Sequence, residues 1–350
     1  MNLAKTLEDA REDWFGTAKK AVGSVIASKA FGGLSEEKRD EVRAELQTLL
    51  DLVTEVHEPR VAVVGPSDRD IVPLLSEILA ADLPGDASIK AEIGSGRWYE
   101  WETTAGSLHL LDARNDSTFR AFRWGLPDVV IQEVSIRLGD DAFNETLARF
   151  VAADEALDVY GGIAPLVAAI LPPTRGADDI LAMRMRERLT DEAERINLPL
   201  HVVVARSRGE LAEAIAPLLP QGARFPWARL TPATVAQHKV ADRIIGIASS
   251  INATVASVPL PFASSLPITT VQILMIAAIA WVSGRERSLK TVAEFLTAAG
   301  LNVGAGYALR ELARVMIAFV PMAGSVISAG IAASATLAVG EAAKRYFLGK

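Results

Sequence analysis

The chain has 350 residues, is 50% hydrophobic and 23% charged, and carries a net charge of −7. It is long enough for two or three domains at about 100–200 residues each, so disorder is excluded. Cysteine is absent and only four histidines occur, none paired at helical i, i+4 spacing, which excludes disulfides, thiolate metal sites, cysteine nucleophiles and a helical His–His zinc motif.

Leu3, Leu7, Ala10, Trp14, Ala18, Ala21 and Val25 form one apolar stripe and predict a helix over residues 2–31. Ser35, followed by Glu36 and Glu37, is the cap of a second helix running to about Val56. The pattern then changes. Val61–Val64 reads as a buried strand ended by Gly65, and residues 70–81 read as a helix. Residues 97–103 and 107–111 read as two strands joined near Gly106. An extra strand is expected near 129–136 and a helix near 141–157. The apolar run 164–171, a charged helix over 178–196, the β-branched strand 201–204 and a helix over 210–219 follow. Strands alternating with helices predict an α/β domain with a mostly parallel sheet. From Thr231 onward the pattern is helical throughout.

Charge and hydropathy divide the chain. Residues 1–240 hold 27 basic and 38 acidic side chains, whereas 241–350 hold 9 and 5. No basic stripe interleaved with aromatics runs along the chain, so nucleic acid is not an expected partner. Residues 244–284 and 315–340 carry no charge at all. Each is long enough to reach across a bilayer, but prolines interrupt both. Basic residues flank each run, which fits hairpins dipping into a membrane from the cytoplasmic side; buried core helices fit equally. The charged N-terminus lacks an apolar signal core, so a cytoplasmic location is expected, either free or at the inner face of the plasma membrane.

A strand ending in glycine before a helix is where a phosphate-binding loop sits. Such a loop needs backbone N–H groups, a lysine and a hydroxyl ligand for Mg²⁺. Here the segment is Gly65-Pro-Ser-Asp-Arg-Asp-Ile-Val72: Asp70, Ile71 and Val72 stand at the second glycine, the lysine and the hydroxyl. Asp112-Ala-Arg-Asn115, 47 residues after Gly65, resembles the D-x-x-G element of small GTPases, with Asn115 replacing the glycine. Ala205-Arg-Ser-Arg208 occupies the place of N/T-K-x-D, and Arg208 has only donors where an acceptor reads guanine. Leu230-Thr-Pro-Ala233 stands where the S-A-K element is expected.

On these elements, and on Pro259-Leu-Pro261, the Gln272 run, Lys290–Glu294, Val320-Pro-Met-Ala-Gly324, Gly340 and Tyr346-Phe347, the chain resembles bacterial Era-like and immunity-related GTPase-like proteins. In those relatives a G domain precedes a hydrophobic helical domain of unknown function. The resemblance implies a P-loop-GTPase-like α/β domain over 58–235, with helices on both sheet faces. An N-terminal helical region over 1–57 precedes it and a hydrophobic all-α domain over 236–350 follows.

The degenerate motifs point to a pseudo-GTPase acting as a regulator or scaffold through a protein partner, with no cofactor. One alternative is an atypical GTP- or ATP-binding hydrolase with Mg²⁺; another is a structural protein anchored in a membrane through residues 244–284 and 315–340. Vestigial nucleotide contacts are expected at Gly65, Ser67, Arg69, Asp112 and Arg206. No catalytic or metal-binding residue is expected. Arg114, Arg120, Arg123 and Trp124 form the expected partner patch; the competing reading is a solvated helix face with its aromatics turned inward.

Overall fold

The computed structural model describes residues 16, 18–54, 57–66, 71–79, 97–103, 105–114, 119–172, 177–206, 209–257, 265–286, 288–298 and 329–349. The chain divides into two compact units, His57–Ala236 on the one hand and Met1–Val56 with Gln237–Lys350 on the other.

The first unit is a six-stranded sheet with helices on both faces. In chain order it comprises β1 (Arg60–Val63), α1 (Val72–Leu79), β2 (Trp98–Thr103), β3 (Gly106–Asp112), β4 (Val129–Val134) and α2 (Asp140–Val159). It continues with β5 (Leu166–Ile170), α3 (Ala177–Arg195), β6 (Leu200–Val204), α4 (Glu210–Ile215) and α5 (Gln221–Leu230). Strand order is β2-β3-β1-β4-β5-β6, and only β2 runs antiparallel to its neighbour.

Strand alternation sorts the side chains into two cores. Ala62, Val64, Leu111, Val130 and Ala168 face one layer with Phe143, Phe150 and Leu189 from α2 and α3. Val61, Val63, Leu110, Ile131 and Val167 face the other with Leu74, Leu75, Leu211 and Trp227 from α1, α4 and α5. Burial on both sides explains why β5 is apolar throughout and why β1 and β4 each carry three consecutive apolar residues, Val61–Val63 and Val129–Ile131.

Helix α2 covers the helix expected over 141–157, with Asp140 and Asp141 in its first turn where the helix dipole favours acid. The helix expected over 210–219 ends instead at Ile215, and α5 follows as a separate element. Helix α5 contains Pro226. Proline lacks the N–H that would bond the carbonyl four residues back. That carbonyl, Gly222 O, accepts from His57 N at 3.3 Å.

In the second unit, residues 18–26 are helical, 27–28 interrupt the helix expected over 2–31, and a short turn spans Lys29–Gly32. The later helices of this unit are Glu36–Thr54, α6 (Thr234–Ala256, which begins within the first unit), α7 (Ser265–Val282), α8 (Leu289–Ala298) and α9 (Ala329–Leu348). The uncharged α7 is buried at every position from Pro267 to Val282 except Thr270. Among the described residues, no helix is long and apolar enough to cross a membrane. Polar side chains join three helices at the centre: Asn252 Nδ2 and Gln272 Nε2 both donate to Thr336 Oγ1, at 2.9 and 3.2 Å.

Candidate functional site

In open α/β sheets ligands bind at the carboxyl ends of the strands, where strand order reverses. That position is beside β1: the chain leaves it toward β3 and β2, then returns on its other side as β4. Gly65 follows β1 with φ +127°, a conformation that favours glycine. A Cβ there would lie 3.1 Å from Gln132 Cγ, so the loop runs tight against β4.

Asp112 ends β3 opposite Val63 and is 4% exposed. Both carboxylate oxygens are engaged by one neighbour. Arg114 Nε donates to Oδ1 at 2.8 Å, Arg114 Nη2 to Oδ2 at 2.6 Å, and Arg114 N to Oδ1 at 3.1 Å. This is the planar two-point match between guanidinium and carboxylate. The Arg114 side chain is only 13% exposed, so it sits in the site and not in the exposed patch expected around Trp124.

A second arginine closes the loop from α2. Arg149 Nη1 donates to Gly65 O at 2.7 Å and to Arg114 O at 3.2 Å, while Nη2 holds Glu145 at 2.8 Å. Nothing in the sequence signals Arg149, because its contacts lie 84 and 35 positions away. Gln132 and Glu133 were missed for the same reason: they enter through the β1–β4 register.

Ile71, where the resembled family has its phosphate lysine, is buried in the core with Leu74 and Leu75. Val63, Val64, Pro66, Ile71, Leu74, Arg114 and Glu133 line a cleft of about 20 Å³. A single water needs roughly 10–15 Å³ by that measure, whereas ligand pockets run to hundreds of Å³. Ser67 and Arg69 lie outside the described residues.

Arg206 is not brought to this site. It follows β6, which β4 and β5 separate from β1, about 14 Å at ordinary strand spacing. Arg206 Nε donates to Asp179 at 2.8 Å and its backbone N–H to Glu210 at 2.6 Å.

The remaining basic–aromatic residues form a 3₁₀ turn, Arg120–Trp124. Phe119 and Phe122 stack inward at 5.3 Å and are buried. Trp124 points outward, 74% exposed, with the Arg123 guanidinium 4.5 Å from its ring centre. Phe119 has φ +47°, a strained value for an aromatic residue, worth about 1–3 kcal/mol.

No family model matches the chain, and no curated protein matches it significantly.

Proposed function

We propose that this chain is a pseudo-GTPase: a P-loop-GTPase-like domain that has lost its nucleotide chemistry and works as a regulator or scaffold through protein contacts. The Asp112–Arg114 pair carries the reading. The aspartate corresponds to the one that reaches Mg²⁺ in the resembled family, and here a guanidinium of the same chain takes both its oxygens. A cation already seated by two charge-assisted hydrogen bonds competes directly with a metal for that carboxylate. The buried Ile71 supports the same conclusion. The exposed Arg123–Trp124 pair is the surface most suited to a partner, since arginine and tryptophan are enriched among interface anchors.

Thermal unfolding of the full chain with GTP, GDP or ATP and Mg²⁺ tests this. A ligand at 100 times its dissociation constant stabilises by about 2.7 kcal/mol, a readily measured rise in Tm. The expected outcome is an unchanged Tm at millimolar nucleotide. A clear rise would show that nucleotide binds and would overturn this reading; release of phosphate would then have to be measured to establish the hydrolase alternative.

A further inference from the structure

At the amino-terminal edge of the parallel strands, opposite the Gly65 loop, three side chains of metal-ligating type converge. Glu58, Glu100 and His109 each offer one donor atom, and these atoms all lie within 4.8 Å of one another. His109 Nε2 is 3.1 Å from Glu58 Oε2. We propose that Glu58, Glu100 and His109 form a binding site for a Zn²⁺-type divalent transition metal ion, with one coordination position left for water.

The backbone fixes this arrangement. Glu100 and His109 are direct cross-strand partners in the β2–β3 ladder. His109 N donates to Pro59 O at 2.9 Å, which holds the residue after Glu58 against the same point of β3. A tetrahedral Zn²⁺ with nitrogen and oxygen ligands at about 2.0–2.2 Å places neighbouring donors about 3.3–3.6 Å apart. The His109–Glu58 separation is close to that, and small rotamer changes bring Glu100 in.

The donor set selects the metal. An imidazole nitrogen beside two carboxylates suits zinc and its neighbours; calcium and magnesium prefer all-oxygen shells. His57, next in sequence, is not a fourth ligand: its Nε2 is 2.9 and 3.0 Å from the two Asp128 oxygens. Three protein ligands on an accessible edge leave the fourth place open. The His109 and Glu58 side chains are 25% and 37% exposed, so an ion can enter. Bound there, it ties the segment before β1 to the β2–β3 hairpin. This inference stands apart from the nucleotide question.

The full-length protein is titrated with ZnCl₂ and with CoCl₂, followed by calorimetry, Tm and the visible spectrum. The wild type is expected to bind one equivalent with a raised Tm and to show the d–d bands of four-coordinate Co²⁺. Glu100→Gln and His109→Gln, both folded by circular dichroism, are expected to weaken binding on the order of tenfold or more and to lose those bands. His201→Gln, on β6, is expected to behave as the wild type. MgCl₂ and CaCl₂ at the same concentration are expected to leave Tm unchanged. Absence of a zinc response at millimolar concentration overturns the site, and so does an equal response in Glu100→Gln and His109→Gln.

Discussion

Asp112 and Arg114 make the most consequential pair in the first unit. Both side chains are largely out of water and meet in a two-point ion pair. Removing one partner of a buried pair costs about 3–5 kcal/mol, because the other charge is stranded. Arg114→Ala is therefore expected to lower stability by about 3 kcal/mol, read as a fall in the denaturation midpoint at unchanged slope. Gain of Mg²⁺-dependent stabilisation in that variant would show that the arginine had displaced a metal from a working site.

Glu45, on the helix Glu36–Thr54, shows a different imbalance. Burial pushes its carboxyl above the usual range, against a smaller lowering by its hydrogen bond to Ser250. The folded form thus holds the proton more tightly than the unfolded one. The resulting stability is fully present below the unfolded value and is lost as pH rises through the folded value. Glu45→Gln is expected to raise Tm relative to wild type at pH 7, with the difference vanishing near pH 3. Parallel melting curves across that range check it.

Among the elements, α6 and α9 meet at a glycine. A Cβ on Gly340 would stand 2.7 and 2.9 Å from Ile245 Cγ1 and Cγ2, inside any real contact. Overpacking of this kind costs about 1–3 kcal/mol. Gly340→Ala is expected to lower Tm, and the double variant with Ile245→Ala to recover part of the loss. Gly340 is thus the point where these two helices approach most closely at a glycine. In α7 the absence of charge has a matching cause: with every face covered from Pro267 onward, apart from Thr270, no position is left for a solvated side chain. The end of the second uncharged run, 329–340, forms the first half of α9; its earlier part, 315–328, lies outside the described residues.

At the scale of the whole molecule, both core clusters of the sheet lie within residues 57–236. A unit that carries its own core is expected to fold by itself. A fragment of residues 57–236 is expected to melt cooperatively, followed by circular dichroism. A featureless melt would show that its stability depends on the helical unit.

The α/β class, the strand at 61–64, the strand near 129–136 and the helix near 141–157 were legible because they rest on local apolar patterns, short apolar runs for the strands and a helical period for the helix. A period of two or 3.6 in apolar residues reports which faces are buried, whatever buries them. The helix α5 was not legible, since Pro226 argues against a helix and only Gly222 O bonding elsewhere removes the objection. Asp112 stood out as a strand-end carboxylate. Its partner Arg114 lies only two positions further on, a local contact; the closing of the Gly65 loop by Arg149 and the meeting of Glu58 with His109 are consequences of strand order and register. Those contacts join residues up to 84 positions apart, and no local pattern encodes them. The amino-acid sequence alone therefore determined the elements and left no lysine between Gly65 and Val72; only the tertiary structure decided the long-range charge contacts, because such pairing is set by how the sheet is assembled.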